Sequence, residues 1–159
     1  MKIYIIGFMG SGKSTLGKEL AVALQLPFID LDQEIELLED LTISEIFSQF
    51  GETYFRHKET TILSDLTSAG VYATGGGIVI RQINRELLRQ NAECIIWLNT
   101  DWKVIWQRIK SSNRPLVNVN SPSQIEELYL QRLPLYQELA DIVYYGNGME
   151  GLIKKIKAR

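Results

Sequence analysis

Short runs of apolar residues alternate along the chain with longer stretches whose apolar side chains recur at helical spacing. Ile3–Ile6, Pro27–Ile29, Val71–Ala73, Cys94–Leu98 and Ile142–Tyr145 predict five short strands. Between them, Leu16, Leu20, Ala23 and Leu24, and later Ile125, Leu128, Leu130 and Leu133, mark apolar faces of helices. Strand and helix in alternation predict an α/β domain, a parallel sheet with helices on both faces. Thr42-Ile43-Ser44-Glu45 has capping-box spacing and predicts a short helix ending near Gly51. Ser111–Ser123 holds two prolines and three asparagines with little apolar patterning, and reads as a long exposed loop.

A chain of 159 residues supports one core, so residues 1–159 are expected to form a single domain. Seventeen basic against nineteen acidic residues give a net charge of −2, which argues against a nucleic-acid-binding protein. The single cysteine, Cys94, has no intramolecular partner, and no Cys/His cluster has structural metal spacing. A reducing, cytoplasmic setting follows as the expectation. The opening Met1-Lys2-Ile3-Tyr4-Ile5-Ile6-Gly7 shows no cleavage-site pattern, and no apolar run has the length of a membrane span.

Candidate chemistry begins where the first strand ends. Gly7-Phe8-Met9-Gly10-Ser11-Gly12-Lys13-Ser14-Thr15 matches G-x-x-x-x-G-K-[ST] between a strand and a helical pattern. Glycines let backbone N–H groups converge on phosphate, and the helix N-terminus adds its positive dipole end. Gly10, Ser11, Gly12, Lys13, Ser14 and Thr15 are therefore candidate ATP-binding residues, with Lys13 at the β- and γ-phosphates and Ser14 at Mg²⁺. Neither the N-K-x-D nor the D-x-x-G signature of GTPases is present.

Further groups suggest a phosphoryl acceptor. Asp30-Leu31-Asp32 closes the second strand, and alternation along an extended segment aims both carboxylates to one side. One can hold magnesium through its water shell and the other can orient a hydroxyl, unless one merely caps the following helix. Arg56 and Glu59 lie three apart on a helix, which alone describes a surface ion pair. Gly75-Gly76-Gly77 at the third strand's end admits a close approach of ligand or backbone, or is a plain turn. Arg114, in the long loop, can swing onto phosphate oxygens or remain a solvated charge. Arg132 can join a second arginine in holding a carboxylate. His57 reads as a surface residue, Cys94 as a buried hydrophobe, and Trp102 and Trp106 as packing against the sheet.

In this order the blocks resemble the shikimate kinase family: Gly7–Thr15, Asp30-Leu31-Asp32, Phe50-Gly51-Glu52-x-x-Phe55-Arg56, Gly75-Gly76-Gly77, Arg114-Pro115-Leu116 and Arg132-x-Pro134-x-Tyr136. The resemblance implies a P-loop, nucleoside-monophosphate-kinase-like fold, with a five-stranded parallel sheet in the order 2-3-1-4-5 between two helical layers. It further implies a substrate-binding helical region over about residues 32–60 and a short lid over about 111–123. The implied reaction is transfer of the ATP γ-phosphoryl group to the 3-hydroxyl of shikimate, in the pathway to chorismate and aromatic amino acids. Lys13, Asp32 and Arg114 would be catalytic, with Asp32 at the acceptor hydroxyl. Ser14 and Asp30 would serve Mg²⁺, and Arg108 would stack on adenine. Arg56 and Arg132 would clamp the shikimate carboxylate, with Glu59 bracing Arg56. Gly75, Gly76 and Gly77 would line the acceptor site, with Phe47 and Phe55 as its apolar wall. A monomer is expected, with no nucleic-acid or membrane partner. Two other readings compete: a P-loop kinase for another acceptor, such as gluconate, and a regulatory module that binds nucleotide without catalysis.

Overall fold

The computed structural model describes residues 1–159. Its strands are β1 (Lys2–Ile6), β2 (Phe28–Asp30), β3 (Gly70–Ala73), β4 (Cys94–Leu98) and β5 (Ile142–Tyr144). The helices are α1 (Lys13–Leu24), α2 (Leu31–Glu39), α3 (Ile43–Asp65), α4 (Gln82–Asn91), α5 (Trp102–Ile109), α6 (Pro115–Val119), α7 (Pro122–Leu139) and α8 (Met149–Lys157). All strand pairs are parallel, in the order β2-β3-β1-β4-β5. The helices on both faces are those expected from the alternation of strand and helix, and the order is the one the family resemblance implies.

Because both faces of the sheet are covered, its central strands are apolar throughout rather than alternating. Tyr4, Ile6, Tyr72, Ile95 and Trp97 face one core with side chains from α2, α3, α4, α5 and α7. Ile3, Ile5, Val71, Cys94, Ile96 and Leu98 face a smaller core closed by α1 and α8. Register then places the chemistry. Ile5 lies opposite Ala73 and Ile96, and Asp30 lies opposite Ala73. The turns after β1, β2 and β3 therefore open at one edge, the carboxyl edge where ligands of open α/β sheets bind.

Two local readings change, and a third holds. The segment 111–123 is not all loop: Pro115 starts α6 and Pro122 starts α7, each proline in the first turn of its helix. Asp32 does not continue strand alternation, because β2 stops at Asp30 and Asp32 sits in the first turn of α2. The helix opened by the Thr42/Glu45 capping box ends at Gly51 (φ 82°, ψ 171°), as expected, and a second piece resumes to Asp65, so α3 is two helical pieces meeting at a kink. No helix is long and apolar enough to cross a membrane.

Candidate active site

The carboxyl edge of the sheet borders a cavity of about 850 Å³, lined by the phosphate loop, Asp30, Asp32, Phe47, Phe55, Arg56, Glu59, Gly75–Gly77, Arg108, Arg114 and Arg132. The phosphate loop forms its floor. Gly10 and Gly12 have φ of 75° and 101°, and Gly12 caps α1, so the loop turns its amides toward the cavity where the helix dipole is positive. Lys13 is buried, and its Nζ donates to the Phe8 carbonyl at 2.9 Å. Burial lowers its pKa to about 8, partly offset by the attraction of Asp32.

Asp30 does two jobs. Its Oδ1 accepts from the Asp32 amide at 3.1 Å, capping α2, while its Oδ2 accepts from the Ser14 hydroxyl at 2.5 Å. One carboxylate thus caps the helix and also ties it to Ser14 of the phosphate loop. Asp32 Oδ1 is buried with no hydrogen-bond partner. Burial, with the neighbouring Asp30 charge, pushes the Asp32 pKa up. A buried acceptor atom without a donor is expensive to maintain, unless a ligand supplies the donor.

Beside Asp32, across the glycine turn, Arg56 and Glu59 are not a surface pair. Both are buried, and Arg56 Nη1 donates to Glu59 Oε2 at 2.6 Å. A second carboxylate, Glu52, accepts from Nη2 of Arg56 at 3.1 Å. Helical spacing shows that the two residues can touch, but their burial depends on the distant glycine turn. A Cβ on Gly77 would lie 2.4 Å from the Arg56 guanidinium nitrogens. A Cβ on Gly75 would lie 2.7 Å from Glu59 Oε1 and 2.8 Å from Asp32 Oδ1. The turn is packed against charged groups and is no free hinge. Burial pushes the Glu59 pKa up to about 7, against the pull of Arg56.

Arg132 lies near the middle of α7 and is 5% exposed. Its guanidinium sits 5.3 Å from the centre of the Phe8 ring and pairs with no carboxylate. Arg114 caps α6 at the cavity rim and is also without an ion pair. Phe47 and Phe55 face each other across the kink at Gly51, with ring centres 5.0 Å apart. Arg108 is drawn to the phosphate loop: its Nη1 donates to the Gly10 and Ser11 carbonyls at 3.0 and 3.1 Å.

Sequence reasoning missed the role of Tyr136, whose hydroxyl donates to the Gly76 carbonyl. Its position one helical turn after Arg132, on the same face, was the available signal. It also missed the Ser44 hydroxyl, which donates to the Asn113 carbonyl at 3.1 Å and ties α3 to the segment before α6. His57 is exposed and Cys94 buried, as read from the sequence. Trp102 and Trp106 stack on each other, and Trp102 also meets Tyr129 of α7.

A family model described as shikimate kinase matches residues 9–157. The chain belongs to the shikimate kinase family. It is 38% identical to a shikimate kinase of Aromatoleum aromaticum, over 99% of this chain and 93% of that one. A shikimate kinase of Rhodopseudomonas palustris is 44% identical over 88% of this chain and 70% of its own. Among solved structures, the shikimate kinase of Acinetobacter baumannii in complex with shikimate superposes with a TM-score of 0.85 at 39% identity, covering 99% of this chain and 89% of that one. A gluconokinase of Sinorhizobium meliloti shares the fold alone, with a TM-score of 0.55 at 18% identity over 99% of this chain and 89% of its own.

Proposed function

We propose that this shikimate kinase transfers the γ-phosphoryl group of ATP to the 3-hydroxyl of shikimate, giving shikimate 3-phosphate and ADP on the route to chorismate. One observation carries the assignment of the acceptor end: Arg132, a buried cation with no carboxylate of its own, in the same cavity as Arg56. An unpaired buried charge is costly, and a substrate carboxylate removes that cost through bidentate, charge-assisted bonds. Phe47 and Phe55 supply an apolar wall, and the bare backbone of Gly75–Gly77 lets ring hydroxyls approach. The partnerless Asp32 Oδ1 then meets the reacting hydroxyl.

As the hydroxyl oxygen bonds to the γ-phosphorus, the bond from phosphorus to the β–γ bridging oxygen breaks, and the hydroxyl proton passes to Asp32. A carboxylate with a raised pKa is better matched to that proton than an ordinary one. Lys13 and the loop amides hold the phosphates in line, and Arg114 at the rim neutralises oxygens of the transferring group. Ser14 Oγ and Asp30 Oδ2 are adjacent hard oxygen donors and fit magnesium, which keeps most of its water and takes few protein ligands. Bound with ATP, that ion supplies charge neutralisation at the phosphate oxygens. Arg108, held against the phosphate loop, would stack on adenine, with residues 111–123 as the lid and about 32–60 as the substrate-binding region. The site is complete within one chain and needs no partner subunit, and the single buried Cys94, with no disulfide partner, suits the cytoplasm.

The test is ADP release from Mg-ATP with shikimate, gluconate, a nucleoside monophosphate or no acceptor. Stimulation by shikimate alone is expected, with a loss of about 100-fold or more in kcat for a folded Asp32→Asn variant. Stimulation by a different acceptor, or wild-type turnover by Asp32→Asn, would overturn the assignment.

A further inference from the structure

Behind the Arg56 side chain lies a polar network whose other side chains, Thr60, Asn84 and Arg81, do not line the cavity. The Thr60 hydroxyl, one helical turn after Arg56, donates to Asn84 Oδ1 at 2.7 Å and lies 3.0 Å from the Arg56 carbonyl. Asn84, on α4, is 0% exposed, and its Nδ2 donates to the Ile78 carbonyl at 3.0 Å. Arg81 adds a third strut, donating from Nη1 to Thr60 Oγ at 2.8 Å and to the Arg56 carbonyl at 3.2 Å.

Ile78 directly follows the glycine turn and closes it, its amide donating to the Gly75 carbonyl at 3.2 Å. The glycine turn and α3 therefore meet twice. At the front, Gly77 approaches the Arg56 guanidinium so closely that there is no room for a methyl group. At the back, Asn84 and Thr60 fix the spacing between the same two segments. A small change in that spacing either drives Gly77 into the guanidinium or opens a gap behind it, and in both cases Arg56 turns away from the carboxylate it is to hold.

We propose that Asn84 and Thr60 are positioning residues that set the aim of Arg56 at the acceptor carboxylate, and so govern acceptor affinity without touching the substrate. The chemistry at position 84 suits an amide. The amide donates from Nδ2 to the Ile78 carbonyl and accepts at Oδ1 from the Thr60 hydroxyl, a pairing that an ionised carboxylate of the same shape cannot make. A carboxylate there would set two oxygens against each other at Ile78. This inference rests on the reading of Arg56 as a carboxylate clamp.

The experiment is steady-state kinetics on Asn84→Asp, Thr60→Val, Thr60→Ser and Arg56→Ala, with shikimate and ATP varied separately. Thr60→Val keeps shape and volume, so it serves if Asn84→Asp fails to fold. We expect shikimate KM to rise about tenfold in Thr60→Val and in folded Asn84→Asp, with ATP KM changed by less than about twofold. Thr60→Ser should restore the wild-type KM, and Thr60→Val should add little in an Arg56→Ala background. Arg56→Ala raising shikimate KM while folded Thr60→Val leaves it unchanged would overturn the positioning role alone. Equal rises in both KM values with a fallen melting temperature would overturn it too, since a merely structural defect acts that way. Unchanged shikimate KM in Arg56→Ala would instead overturn the clamp on which the inference stands.

Discussion

Besides Glu59, burial moves two charged groups of the cavity toward their neutral forms, Lys13 downward to about 8 and Asp32 upward. In each case the substrate supplies what burial removes. ATP brings anionic phosphates that favour the charged lysine, so its pKa must rise on binding. The sign follows from linkage: free enzyme at pH 8 carries Lys13 about half protonated, bound enzyme carries it fully protonated, and binding takes up about half a proton. ATP affinity should accordingly weaken as pH rises through 8. Calorimetric titration at pH 8 in two buffers of different ionisation enthalpy measures the uptake directly. Binding with no proton exchange would mean that Lys13 is already fully charged in the empty site.

Elements rather than single residues decide where the apolar wall stands. Phe47 and Phe55 belong to the two pieces of α3, and they meet because Gly51 breaks the helix with a backbone conformation open in practice only to glycine. A Cβ at Gly51 would touch nothing, so Gly51→Ala tests the backbone alone. We expect it to cost about 1–3 kcal/mol in denaturant unfolding and to raise shikimate KM as α3 tends to straighten. Unchanged stability would show that the kink is not held in solution. At this scale the sequence was readable where the signal was local. Buried strands announce themselves as short apolar runs, and the Thr42/Glu45 cap marks its own helix. Prolines misled at 115 and 122, because proline starts a helix at its first turn as readily as it ends one elsewhere. Asp32 was misplaced because capping by the Asp30 side chain ends β2 one residue before alternation could act. The burial of Arg56 and the Asn84 network lay beyond reach, since both depend on contacts between segments far apart in the chain.

The whole molecule adds a requirement that no single element meets: water must leave the cavity before transfer, or ATP is hydrolysed to no purpose. The segment best placed to exclude it is held lightly. No residue of α6 is fully buried, and the Ser44 hydroxyl on the Asn113 carbonyl is its polar tie to α3. Arg114 caps α6 while its side chain has no ion pair, so that charge is spare in the absence of phosphate. Nucleotide gives it a partner and, with shikimate bound beneath, should draw residues 113–120 down over both substrates. Two measurements check this together. Backbone amide exchange across that segment should slow with ADP and shikimate bound in the wild type, but much less in Arg114→Ala. The same variant should lose about 100-fold or more in kcat, as when a preorganised donor to a developing charge is removed, while its melting temperature stays at the wild-type value. Near-normal turnover, or exchange indifferent to ligand, would mean that Arg114 is a solvated charge and that closure depends on other contacts.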